Sequence, residues 1–181
     1  CWLRVEIPAL TAINGAKVCW TRNLGHNLVK EATLRFNDLV AAKLNSNILD
    51  FWSAFTVGAS KRAAYDHMIG NDDGPQFTSA NGNKNAFVVN VPLPFFFARD
   101  TGVALPTAAL PYNEMRIHIT FNEADKLIYA VPNGQTAPIA AVSGTHYNAV
   151  NMTGSKVNVW GDYAIVSNEE RQKMAFAPRD M

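Results

Sequence analysis

The sequence predicts an all-β protein, a jelly-roll β-sandwich with short helices in its loops. Three observations carry this. Apolar and polar residues alternate with period two in several separate stretches, the mark of half-buried strands. No strand–helix–strand alternation appears, which argues against a parallel sheet. Residues 91–121 are too proline-rich for a helix and too apolar for a free loop, and they end in a strand with two unlike faces.

The bulk numbers fit one such domain. A chain of 181 residues can bury roughly 70% of its unfolded surface, so neither disulfides nor metal are needed to hold it. Its two cysteines, Cys1 and Cys19, read as free thiols of a reducing compartment. Charged residues make up 17% of the chain, below the ~25% of soluble domains, so much of the outside is expected to be covered or polar without charge. The net charge of +1 and the lack of any Lys/Arg run give no case for nucleic-acid binding, and no direct nucleic-acid partner is expected. No apolar run reaches the ~18 residues of a membrane span. The sequon Asn151-Met152-Thr153 reads as a chance match.

The elements follow in order. Leu3, Val5 and Ile7 alternate with Trp2, Arg4 and Glu6, and Pro8 stops that strand. Asn14-Gly15 signals a turn, and 17–22 a second short strand. Over 28–36, Leu28, Ala32, Leu34 and Phe36 share a face, with Lys30 the exception; Val29, Glu31, Thr33 and Arg35 take the other. Asn37-Asp38 turns the chain so that 39–44 pairs back. Residues 46–55 read as a helix capped by Ser46 or Asn47, with Ile48, Leu49, Phe51, Trp52 and Phe55 at helical spacing. Residues 61–69 suggest another helical turn or two, stopped by Gly70. Asn-Gly-rich 71–85 is a loop, with Asp72-Asp73 in a solvated turn. Strands follow at 86–91 and 114–121. In the latter, Met115, Ile117, Ile119 and Phe121 are expected in the sandwich core, and Arg116, His118 and Thr120 face away. Residues 132–153 read as a long loop. Val157, Val159, Tyr163 and Ile165 mark a last strand. Ser167-Asn168-Glu169-Glu170 is a capping box that starts a short helix through Phe176.

Catalytic patterns are missing where they would be expected. None of His26, His67, His118 and His146 stands in a His-x-His or His-Glu-x-x-His pair, so no metal or other cofactor is expected, and His118 should meet solvent or a neighbour. Asp72-Asp73 and Glu169-Glu170 are sequence neighbours, whereas glycosidase carboxylates flank a cleft. There is no Gly-x-Ser-x-Gly elbow and no phosphate-binding glycine loop. The chain is therefore read as a non-enzyme. Trp2, Trp20, Trp52 and Trp160 fit packing better than a sugar site. Phe95-Phe96-Phe97 differs: three consecutive aromatics on an extended chain cannot all enter one core, so at least one is expected at another domain or subunit. With Pro92, Pro94, Leu105 and Pro106 they form the expected packing segment, stiffened by proline.

The run Val91-Pro-Leu-Pro-Phe-Phe-Phe-Ala-Arg-Asp-Thr-Gly-Val-Ala-Leu-Pro, leading into Glu114-Met-Arg-Ile117, resembles the central motif of the major capsid proteins of nucleocytoplasmic large DNA viruses. Asn23-Leu-Gly-His-Asn-Leu-Val-Lys30, Tyr65-Asp-His-Met-Ile-Gly70 and Asp162-Tyr-Ala-Ile-Val-Ser-Asn-Glu-Glu-Arg171 are similar to further family stretches in the same order, as is the opening 1–10. The family's Gly-Gly-Gln hairpin is replaced here by Asn37-Asp38, while Asp50-Phe51-Trp52 keeps its helix. The resemblance implies one half of a double jelly roll: residues 1–175 as the first jelly roll, its opening strand before residue 1, and 176–181 as the start of a linker to a second. It implies trimers that form pseudo-hexagonal capsomers of an icosahedral virion, assembled in the host cytoplasm. The implied partners are copies of the chain itself, minor capsid proteins and, indirectly, an inner viral membrane. The alternatives are a jelly-roll carbohydrate-binding attachment module and a cupin-like metal enzyme.

Overall fold

The computed structural model describes residues 1–71, 76–107, 114–150 and 156–176. The Asp72-Asp73 turn, the sequon at Asn151 and residues 177–181 of the expected linker lie outside the described residues.

Alternation decides the first sheet. β1 (Trp2–Ile7) buries Leu3, Val5 and Ile7 and leaves the residues between them partly exposed. It pairs antiparallel with β7 (Phe87–Pro92) on one side and β11 (Val157–Trp160) on the other. β2 (Leu10–Thr11) pairs with β6 (Asn83–Lys84). Between β2 and β3 (Lys17–Trp20), Asn14 and Gly15 both take positive φ, of 56° and 74°, and the Ala16 amide donates to the Ile13 carbonyl. Asn and Gly are the residues that adopt this conformation at least cost.

A second sheet holds β4 (Val29–Phe36) between β5 (Leu39–Leu44) and β8 (Met115–Phe121). The Asn37-Asp38 turn is present, with Asn37 at φ 51°. The odd position of Lys30 has a physical reason. The register against β8 shifts between Val29 and Glu31, so an irregularity there turns Lys30 to solvent while Val29 and Ala32 are both buried. Leu28 is not a strand residue; it closes the short helix α1 (Leu24–Leu28), which the alternation did not signal.

The third sheet, β10 (Ile139–Ala140), β9 (Ile128–Val131) and β3, corrects the reading of 132–153 as an unstructured loop. β9 was not expected at all. Ala141 and Tyr147 are buried, and Tyr147 bridges to Ala12, so this stretch is tied to the core. One apolar cluster draws on all three three-stranded sheets and on the β2–β6 pair: Leu3, Val5, Val89 and Val91 from the first, Ala32 and Leu34 from the second, Val18, Ile128 and Ala130 from the third, and Leu10 from β2.

Two helices follow β5. α2 (Ser46–Thr56) is capped by Asn45, whose side chain accepts from the Ile48 amide at 2.9 Å. Neither Ser46 nor Asn47 caps it, because Asn45 is the residue with the extended backbone an N-cap needs. α3 (Ala59–Met68) ends at Gly70, φ 75°. The last strand is shorter than its alternation suggested. β11 stops at Trp160, before Gly161, and Tyr163 and Ile165 lie almost fully exposed beyond it. α4 (Asn168–Phe176) starts as expected, with the Glu170 amide on the Ser167 hydroxyl at 3.3 Å.

Candidate interaction surface

The proline–phenylalanine segment is folded rather than extended. Pro92 is the last residue of β7, opposite Trp2, where a missing amide costs no ladder bond inside the strand. The Phe95 amide donates to the Leu93 carbonyl at 2.8 Å, so Pro94 is the centre of a three-residue turn that its fixed φ suits. A 3-10 turn over Phe96–Ala98 follows, closed by Ala98 N–H on the Phe95 carbonyl. This turn sends the three aromatics in different directions. Phe95 is 1% exposed and belongs to the core. Phe97 stacks on it, with ring centroids 5.7 Å apart, and is half-buried. Phe96 meets the edge of Phe97 and is 41% exposed. Leu105 and Pro106 are half-buried further along.

α2 adds an apolar surface that the sequence reading did not single out as a contact. Leu49 and Ser53 point inward. Phe51 and Phe55, 64% and 76% exposed, meet with ring centroids 4.6 Å apart and planes tilted by 45°, and Ile48 is exposed beside them in sequence spacing. Burial of one stripe and exposure of another apolar stripe on the same short helix is a signal for two-sided packing. Trp52 ties this helix to the proline segment: the Arg99 guanidinium lies 4.4 Å above its ring. Between them opens a cleft of about 790 Å³ lined by Trp2, Trp52, Met68, Pro92, Arg99 and Asp162 among others.

Beyond Trp2 the surface continues onto β11. Trp2 and Trp160 stack, with centroids 6.4 Å apart and planes within 7°. Val157 and Val159 stand opposite Val5 and Leu3, so they share the inner side of the sheet. Both stay nearly half exposed among the described residues.

Beneath the α2 surface lies a polar cluster. Gly25 sits where a Cβ would come within 2.7 Å of Val91 and 3.1 Å of the Ile69 carbonyl, and its amide donates to that carbonyl at 2.8 Å. The close approach brings His26 of α1 against both following helices. His26 is 0% exposed; its Nδ1 lies 2.5 Å from Asp50 Oδ1 and its Nε2 2.8 Å from the Tyr65 hydroxyl. Burial lowers the imidazole below its usual range, and Asp50 opposes that. Burial also pushes the Tyr65 phenol up to about 12. The Asn23 amide reaches Asp50 Oδ1 at 3.2 Å, and Arg62 pairs with Asp66. Two of the similar stretches, at 23–30 and 65–70, therefore meet in space at this point.

The other singled-out residues fall as follows. Met115, Ile117 and Ile119 register with Phe36, Leu34 and Ala32, hence on the core side of their sheet. They and Phe121 are half-buried against the core rather than enclosed, because β8 is an edge strand. His118 is exposed on the opposite face. Trp20 is buried, and Trp52 is covered on one face by Arg99. Cys1 and Cys19 are free. Among the described residues no three His, Cys, Asp or Glu side chains gather as metal ligands, and no helix is long and apolar enough to cross a membrane.

A family model described as the major capsid protein N-terminus matches residues 1–166. The chain belongs to that family. The major capsid protein of Simulium iridescent virus is 50% identical over 192 residues, covering 99% of this chain and 40% of the relative. That of Invertebrate iridescent virus 6 is 45% identical over 197 residues, covering 99% of this chain and 42% of the relative. That of Frog virus 3 is 36% identical over 196 residues, covering 99% and 41%. The chain thus spans about 40% of the length of these curated relatives. The crystal structure of PBCV-1 VP54, fitted into a cryo-EM reconstruction of the virophage Sputnik, superposes with a TM-score of 0.66 at 22% identity, covering 98% of this chain and 38% of that one. The quasi-atomic model of the PBCV-1 virus capsid gives a TM-score of 0.65 at 22% identity, covering 96% and 37%. The expected jelly-roll architecture is the architecture of this chain.

Proposed function

We propose that the chain is the first jelly roll of a structural subunit that trimerises into pseudo-hexagonal capsomers tiling an icosahedral shell, with no catalytic role. Residues 1–175 form that first sandwich, and a second follows in the same polypeptide. The observation that carries this is the outward apolar surface of Ile48, Phe51, Phe55 and Phe96, on a chain half identical to iridescent-virus major capsid proteins. Large exposed aromatics on a rigid sandwich mark a surface that is covered in use. Low charge favours such contacts, since charged residues are depleted at the core of interfaces. Phe96 and Phe97, with the prolines that hold their turn, sit at the junction between sandwiches or subunits. Minor capsid proteins and, indirectly, an inner membrane are the further partners, in virions assembled in the host cytoplasm.

Electron microscopy of the expressed full-length polypeptide tests the proposal. Trimeric particles with a pseudo-hexagonal outline are expected. A polypeptide that stays a monodisperse monomer at assembly concentrations would overturn it.

A further inference from the structure

Asn-Gly is the dipeptide in which an asparagine side chain closes most readily on its own backbone. Glycine puts no side chain in the way of its amide nitrogen and leaves the chain free to turn. The sequence holds three such pairs, Asn14-Gly15, Asn81-Gly82 and Asn133-Gly134. All three asparagines are exposed, so solvent access does not separate them. Hydrogen bonding does. Asn14 donates from Nδ2 to the Thr145 carbonyl at 2.9 Å, and the Gly15 amide donates to Asn81 Oδ1 at 2.7 Å. That second bond also holds the Asn81 side chain, and the Gly82 amide donates to the Ser79 carbonyl at 2.9 Å. Both reacting groups are therefore tied in the first two pairs. Among the described residues, neither the Asn133 side chain nor the Gly134 amide makes a hydrogen bond. The turn there is closed one residue later, by the Gln135 amide on the Pro132 carbonyl at 3.1 Å, and Gly134 (φ 77°) has open space around it. We infer that Asn133 is a site of spontaneous modification, converted to aspartate and isoaspartate in the folded protein while Asn14 and Asn81 are spared.

The reaction needs only water. The Gly134 nitrogen gives up its proton to solvent and attacks Asn133 Cγ. A Cγ–N bond forms, the Cγ–Nδ2 bond breaks, and the side-chain nitrogen leaves as ammonia with a proton returned from solvent. Water then opens the cyclic imide. Cleavage at Cγ gives aspartate in an ordinary backbone; cleavage at the main-chain carbonyl routes the backbone through Cγ and gives isoaspartate. One water is consumed, one ammonia is released, and nothing is oxidised or reduced. The product differs sharply from its surroundings. Residues 132–150 contain no Asp, Glu, Lys or Arg, so the new carboxylate is the first charge in that stretch, and the formal net charge of +1 falls by one to zero. The Asn133 side chain also lies against Gly15, where a Cβ would meet its Nδ2 at 2.9 Å. Isoaspartate lengthens the backbone at this point and withdraws the side chain from the Asn14-Gly15 turn.

Incubation of the full polypeptide in its native assembly, in mildly alkaline buffer, tests the site. Tryptic maps read the mass change from amide to acid, fragmentation locates it, and methylation by protein isoaspartyl methyltransferase reports isoaspartate. Conversion at Asn133 should run about tenfold or more ahead of Asn14 and Asn81, each of which must first open two hydrogen bonds. In chain unfolded by urea the three rates should converge. Asn133→Gln should remove most of the isoaspartate from the folded sample. Asn14 or Asn81 converting as fast as Asn133 in the folded protein would overturn the inference. So would a difference that survives unfolding, or a folded sample unchanged at Asn133 over a time in which the unfolded chain converts there.

Discussion

Phe95 and Phe96 are adjacent, chemically identical, and placed so differently that one substitution pair separates folding from assembly. Phe95 is 1% exposed and stacks on Phe97. Phe95→Ala leaves a cavity in the core and should cost about 3–5 kcal/mol, with the lost stacking contributing about 0.5–1.5 kcal/mol of that kind of loss. At about 2–4 °C per kcal/mol for a chain of this length, the melting midpoint should fall by roughly 6–20 °C. Phe96 is 41% exposed and, among the described residues, its one ring contact is an edge-on one with Phe97. Phe96→Ala should leave the fold within about 0.5 kcal/mol of its starting stability. If the ring is an anchor of the proposed contact, its loss should cost about 2 kcal/mol at each interface, a roughly thirtyfold weakening. Differential scanning fluorimetry and sedimentation velocity on the two full-length variants read the two effects. Equal loss of melting temperature with unchanged sedimentation would show that Phe96 serves the fold alone. Intact trimers of normal stability in Phe96→Ala and Phe97→Ala would refute the junction.

Two further substitutions probe the packing beneath that surface. Gly25→Ala drives a methyl to 2.7 Å from Val91 and 3.1 Å from a backbone carbonyl that cannot rotate away; the expected loss is about 1–3 kcal/mol, seen in chemical denaturation as a lower midpoint with an unchanged slope. Tyr147→Phe removes the hydroxyl that donates to Asp125 from a buried ring. It should cost about 1–3 kcal/mol and raise hydrogen exchange across 141–148 while β4 is unaffected.

Most of the strand pattern was legible because the faces of β1, β4 and β8 differ in polarity residue by residue. Where it failed, a local rule was overridden. The alternation of Val157, Val159, Tyr163 and Ile165 is as regular as that of β1, yet only Val157–Trp160 finds a partner strand. Alternation reports which residues could share a face and says nothing about whether a neighbour exists. β9 escaped notice because Ile128 and Ala130 are only two inward positions in a four-residue strand. The aromatic run was judged on an extended chain, but Pro94 and the following 3-10 turn swing Phe96 away from Phe95. The His26 cluster was the least legible part. Its members lie on three helices and are 24 and 39 residues from His26, so no spacing rule connects them. The one local signal was Gly25, next to the histidine, in a helix that needs close approach to Ile69 and Val91.

That cluster also explains why the phenylalanines of α2 face out. With 3.6 residues per turn, the directions of Leu49, Asp50 and Ser53 centre about 180° from those of Ile48, Phe51 and Phe55. The helix cannot bury both sets against the same sheet. Turning the phenylalanines inward would gain about 1.5–3 kcal/mol for each ring. It would also strip the buried His26 of its Asp50 partner, which leaves an unsatisfied group at a cost of the same order, and it would expose Leu49. Within this chain the two effects nearly cancel, so the polar contact can fix the rotation of the helix. The roughly 3–6 kcal/mol held by the two exposed rings can then be realised only through contact with another surface, such as the subunit contact proposed above.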